Sequence, residues 1–140
     1  MSCDCMASND IDSICRTVYD YLNGLRTRNI ELLVQSWHPE ARICYINKDA
    51  MSSASFSLLE SLCQQQDDLG TITGCRIVHL DCTGSVAVVK VELSIENSQA
   101  ITNYTDYLTM MKFSYEKWLI VNKSFHAERI KKELISKRGN

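Results

Sequence analysis

The apolar periodicity of this chain changes to a sustained period of two after Gly70, and that change constrains the fold more than any other feature. Before it, Ile11, Ile14, Val18, Tyr21, Leu22 and Leu25 recur at the spacing of one helical face, with Ser8 or Asn9 placed to cap the start. Ile30, Leu33, Val34 and Trp37 repeat the pattern, and Pro39 closes that second helix by pushing His38 out of helical geometry. Ala41 to Ile46 reads as a strand, and the polar stretch from Asn47 to Ser55 as a connection. Phe56, Leu59, Leu62 and Cys63 then mark a third helix, with Ser57 and Glu60 spaced for a capping box. After Gly70 the period is two, in runs near 71–82, 85–96, 100–113 and 117–125 separated by short polar breaks. Such runs exceed the usual strand of about 5–6 residues, so twisted, bulged strands in antiparallel hairpins are expected.

Helices first and an antiparallel meander second is an α+β order, with three N-terminal helices burying their stripes against one face of a curved sheet. We expect a flexible N-terminus over 1–9, one domain over 10–126 and a C-terminal helical tail over 127–140. The tail assignment rests on Glu128–Lys132 and Glu133–Lys137, which have the favourable order for pairs four apart. At 140 residues with 45% apolar and 23% charged content, an ordinary packed core is expected.

A formal charge of −2, with basic residues gathered only near the end, argues against a nucleic-acid partner. No apolar run approaches the ~20 residues of a membrane span, so no membrane partner is expected. The seven cysteines are odd in number. Cys15, Cys44, Cys63, Cys75 and Cys82 follow the apolar pattern rather than a bridge framework, which predicts buried, reduced thiols and a cytoplasmic setting. Cys3 and Cys5 form a lone C-x-C with nothing to complete a tetrahedral site, and no metal or other cofactor is expected.

Four stretches carry a resemblance: Val18-Tyr19-Asp20-Tyr21-Leu22-Asn23-Gly24-Leu25, Trp37-His38-Pro39-Glu40-Ala41, Gly84-Ser85-Val86-Ala87-Val88-Val89-Lys90-Val91, and Asp106-Tyr107-Leu108-Thr109 followed by Lys117-Trp118-Leu119-Ile120-Val121-Asn122-Lys123. In order and spacing, over roughly residues 10–126, they resemble the "Putative lumazine-binding" family of the nuclear-transport-factor-two-like superfamily. The resemblance implies a cone of helices against a curved sheet, a pocket between them, and frequent dimerisation through the sheet's outer face. Ketosteroid isomerases, polyketide cyclases, dehydratases and non-catalytic binding modules share that scaffold, so it assigns no reaction. The sequence departs from the pattern at Ser114-Tyr115-Glu116, where a glycine-containing turn is common. That leaves open the register of the last two strands, which decides the side chains that face the pocket.

No phosphate-cradling glycine loop, nucleophile elbow or zinc-protease motif is present, which leaves acid–base work by a few polar groups in an apolar pocket. Asp106 stands among Tyr104, Leu108 and Met110 on one alternating face, where desolvation would raise its pKa. The plainer reading, which comes ahead of the catalytic one, is a salt bridge to Lys123 or Arg76 that fixes strand pairing. His38 is the second candidate for proton exchange, against a plainer role at a helix end. Tyr21 on the buried stripe of the first helix, with Tyr104, would orient a ligand oxygen. Trp37, Trp118 and Lys123 complete the expected ligand-binding set, although aromatic residues so placed are more often simple core. The expected partners are a small apolar or aromatic ligand and a second copy of the chain. A non-catalytic dimeric binding or interaction module is the alternative to an isomerase, cyclase or dehydratase.

Overall fold

The computed structural model describes residues 8–64 and 70–133. Three helices precede and interrupt the strands: α1 (Ser8–Thr27), α2 (Ile30–Ser36) and α3 (Ser57–Gln64). The strands are β1 (Trp37–Asn47), β2 (Ala50–Ser55), β3 (Thr71–Thr83), β4 (Val86–Glu96), β5 (Ala100–Phe113) and β6 (Lys117–Lys131). They form one sheet in the order β2-β1-β6-β5-β4-β3, antiparallel throughout except for the β1–β6 pair. This is the α+β architecture expected, with helices against a curved sheet.

The apolar stripe of α1 explains its place. Ile14, Val18, Tyr21 and Leu22 are buried together with Val89 and Val91 of β4, Leu108 and Met110 of β5, and Ile120 of β6. Each large aliphatic side chain so removed from water contributes about 1.5–3 kcal/mol. Asn29 caps α2, its Oδ1 accepting from the backbone N–H of Glu31 at 3.0 Å and of Leu32 at 3.3 Å. The turn between α1 and α2 is tight because Gly24 lets Leu33 approach: a Cβ there would stand 2.8 Å from Leu33 Cδ2.

Bulges bend the sheet and decide which residues face the helices. In β6 the pairing passes from Met110↔Ile120 to Thr109↔Asn122, leaving Val121 as the extra residue. Trp118 and Ile120 point into the core, and without the bulge Asn122 and Ser124 would follow them. With it, Lys123 and Phe125 turn inward instead, opposite Leu108 and Asp106. The turn at Ser114–Glu116 does without glycine, at the cost of left-handed backbone at Tyr115 (φ 63°) and Glu116 (φ 58°).

Several expectations are corrected. The segment 50–55 is an edge strand rather than a connection, paired with β1 from Asn47↔Ala50 to Arg42↔Ser55. β1 starts at Trp37 and carries Pro39 at its irregular beginning, where a missing N–H is tolerated. β6 runs to Lys131, so residues 127–131 of the expected helical tail are strand, paired with Ala100–Tyr104. Long-range pairing has overridden the local helical charge pattern. Residues 134–140 of that tail lie outside the described residues, as do 1–7 of the expected flexible N-terminus, while Ser8 and Asn9 already belong to α1. The five cysteines in the described residues carry free thiols, but only Cys82 is buried, and Cys75 is exposed on β3. Cys3 and Cys5 lie outside the described residues.

Candidate functional site

Three ionisable groups meet between α1 and the concave face of the sheet. Tyr21 reaches in from the last half of α1, Asp106 from the middle of β5, and Lys123 from β6 just past the bulge. Asp106 is fully buried, as is Tyr21, and Lys123 is 9% exposed. Lys123 Nζ donates to Tyr21 Oη at 2.8 Å, and Tyr21 Oη donates to Asp106 Oδ2 at 3.2 Å. The ammonium is 3.7 Å from the same Oδ2, so the hydroxyl bridges an ion pair. Asp106 is therefore paired with Lys123. Arg76, the other salt-bridge partner considered, joins Glu92 at 3.0 Å on the exposed surface.

Burial dominates the electrostatics. It raises the Asp106 carboxyl above its ordinary value despite the opposing pull of Lys123 and of the Tyr21 hydrogen bond. It lowers Lys123, with Asp106 acting in the other direction. Tyr21 is pushed well up by burial and then by the Asp106 charge, so it stays a hydrogen-bond donor. Both charged members of the pair are thus held closer to neutrality than they would be in water.

Two buried polar atoms in the described residues lack a protein partner: Asp106 Oδ1 and Trp37 Nε1. Both belong to residues touching Tyr21, since the Trp37 ring meets the Tyr21 ring edge-on at 5.4 Å between centroids. A buried acceptor and a buried donor without partners each cost about 1–3 kcal/mol, so the arrangement is incomplete as a purely structural network.

Aromatic rings lead from this cluster outward. Lys123 Nζ stands 5.5 Å over the Tyr21 ring and 5.0 Å over the Phe125 ring. Phe125 stacks on Tyr45 at 5.0 Å and touches Tyr104 at 5.8 Å. Tyr45, Tyr104 and Phe125 line an open groove of about 810 Å³. On its other side Tyr104 lines a smaller, mainly apolar cleft of about 140 Å³ with Leu25, Leu62, Ile72 and Ile95. Nothing in the local sequence marks Tyr45 or Phe125 as candidates; Phe125 faces the groove because of the Val121 bulge.

The remaining sequence candidates lie elsewhere. His38 stacks on Phe113 at 5.0 Å, and its Nδ1 accepts from the backbone N–H of Glu40 at 3.0 Å. Phe113 is seven residues along β5 from Asp106, or roughly 23 Å at strand rise, so His38 and Asp106 are not brought together. Trp118 is buried under the start of α1, its Nε1 donating to Asp10 at 3.2 Å. That is about 16 Å along the helix from Tyr21. No three His, Cys, Asp or Glu residues gather as metal ligands among the described residues, and no described helix is long and apolar enough to cross a membrane.

A family model described as "Putative lumazine-binding" matches residues 9–126. Among solved structures, an NTF-2 like protein from Silicibacter pomeroyi DSS-3 is similar at 18% identity and a TM-score of 0.74, covering 88% of this chain and 100% of its own. An NTF2-like protein from Methylobacillus flagellatus KT shares 25% identity at a TM-score of 0.67, covering 88% and 95%. A ketosteroid isomerase-like protein from Erwinia carotovora atroseptica SCRI1043 shares 10% identity at a TM-score of 0.69, covering 86% and 98%. No curated protein matches the chain.

Proposed function

The chain belongs to the "Putative lumazine-binding" family, and from that premise we propose that it binds a small, flat, largely apolar ligand in the aromatic groove and presents it to Tyr21, Asp106 and Lys123 for acid–base chemistry. The observation that carries this is the fully buried Asp106 carboxylate with one oxygen tied to Tyr21 and the other without a protein partner. A ligand O–H, N–H or acidified C–H at Oδ1 would complete it. Desolvation makes Asp106 a stronger base than a solvated carboxylate, and Lys123 supplies the positive charge that would stabilise an oxyanion formed on the ligand. These are the needs of an isomerase, cyclase or dehydratase. Proton exchange between Asp106 and His38 has no part in this proposal, given where His38 sits. The free thiols in the described residues fit a reducing, cytoplasmic setting.

The alternative, a non-catalytic dimeric module, draws on the outer sheet face, where Val86, Val88, Tyr107, Met111 and Phe113 are each 39–48% exposed. Calorimetric titration with lumazine and with 2-naphthol tests whether the groove takes a ligand, which an interaction module would not. Binding at one ligand per chain, weakened about tenfold or more by Asp106→Asn as loss of a charged hydrogen bond requires, supports the pocket. Absence of binding to either compound up to millimolar concentration favours the module.

A further inference from the structure

We propose that Lys123 is a carbonyl-capturing amine: its Nζ, joined through the Tyr21 hydroxyl to Asp106 and set against the Phe125 ring, forms a Schiff base with a small aldehyde or ketone bearing an aromatic or conjugated body. This deepens the reading above by naming the electrophile, and it rests on the same site.

The geometry supplies what such an amine needs. An amine attacks a carbonyl only when it carries no proton beyond its own two, and an isolated surface lysine is almost wholly ammonium at neutral pH. Here the surplus proton has a path. Nζ donates to Tyr21 Oη at 2.8 Å, and Oη donates to Asp106 Oδ2 at 3.2 Å. Moving one proton along each bond converts the ammonium and carboxylate into a neutral amine and a carboxylic acid, with no change in net charge. Burial favours that neutral arrangement from both ends, because it raises Asp106 and lowers Lys123. Among the described residues, the other lysines in ion pairs lack such a setting: Lys112 faces the Asp10 carboxylate at 3.3 Å and Lys132 faces Glu96 at 2.9 Å, both in more exposed pairs.

The reaction balances within these residues. Nζ adds to the carbonyl carbon as the C=O π bond opens to an alkoxide, which takes a proton from Asp106 directly or through Tyr21. Nitrogen then returns a proton to the carboxylate, the hydroxyl leaves as water with a proton from the same acid, and C=N replaces C=O. Tyr104, Phe125 and Tyr45 offer ring faces against which a conjugated body would lie.

The test is reductive trapping. The intact protein at neutral pH is treated with limiting cinnamaldehyde and sodium cyanoborohydride, which passes hydride to the imine and fixes it as a secondary amine, and labelled peptides are quantified by mass spectrometry. Lys123 is expected to label about tenfold or more faster than exposed Lys117, because its surplus proton has a hydrogen-bonded path to a buried carboxylate. Tyr21→Phe, which cuts the proton path and keeps the ring, is expected to reduce that preference. Labelling confined to surface lysines overturns the proposal, and wild-type protein gives this result without any variant needing to fold. If 2-naphthol binds at the site and Lys123 still resists trapping, the pocket stands and the carbonyl chemistry fails.

Discussion

Tyr21 on α1 donates a hydrogen bond to Asp106 on β5 at 3.2 Å, across 85 positions of sequence, while accepting one from Lys123 at 2.8 Å. One hydroxyl thereby joins a helix to two strands and bridges a buried ion pair. The contact ties the stability of the fold to the same three side chains on which the proposed chemistry rests.

The first consequence is thermodynamic coupling. Asp106→Asn strands a buried cation and is expected to cost about 3–5 kcal/mol. A domain of this size loses several degrees per kcal/mol, so melting should fall by more than about 10 °C. Replacing both partners, as Asp106→Asn with Lys123→Met, should recover most of that loss, because an apolar side chain of similar volume does not need the missing charge. Melting curves of the two single variants and the double variant check this. Additive losses in the double variant would show that the groups act independently.

The pH dependence has a defined sign. The folded pKa of Asp106 is raised, so its contribution to stability is fully present below the unfolded value and is lost as pH rises through the folded value. Lys123 is lowered, so its contribution is present above its unfolded value and is lost as pH falls through the folded one. Between these windows both are charged and the pair contributes least. The stability of wild type relative to the Asp106→Asn, Lys123→Met double variant, which carries no stranded charge, should therefore increase as pH is lowered from neutrality towards 4. Chemical denaturation of both proteins across that range measures the difference, which should stay flat if Asp106 titrates as it would in water.

Much of this fold is legible in the sequence because the apolar period switches cleanly at Gly70 and the strands after it are long. Asp106 is legible as the carboxylate in an apolar face, and Tyr21 as the polar-tipped residue on a buried stripe. The pairing of Asp106 with Lys123 is legible only as one of two alternatives, the other being Arg76, because the choice depends on the bulge at Val121, which no local residue pattern announces. The edge strand Ala50–Ser55 is hidden for a different reason: its serines and alanines carry little strand propensity, and pairing with β1 alone fixes it. His38 beside Trp37 looks like a proton shuttle in sequence. In space, the strand geometry of Trp37–Asn47 turns it to Phe113.

The outer face makes a prediction of its own. Lys90 covers Tyr107 at 5.7 Å, and Val86, Val88 and Met111 leave an apolar row around it that the helices do not cover. Light scattering at micromolar concentration is expected to give a dimer. Val88→Asp, which places a charge at the centre of the row, should weaken association by about a hundredfold or more, as truncating or charging a central interface position does. A wild-type monomer would contradict the expected use of this face.

Completion of Asp106 by a ligand is measured by an NMR titration with 2-naphthol of protein carrying 13C-labelled aspartate, with the Asp106 carboxyl signal assigned through Asp106→Asn. The aromatic hydroxyl is a donor suited to the carboxylate oxygen that has no protein partner. Saturable movement of the Asp106 carboxyl resonance, larger than that of any other aspartate, is the predicted result. An Asp106 signal that stays fixed while residues of the outer sheet face respond would show that no ligand reaches the carboxylate.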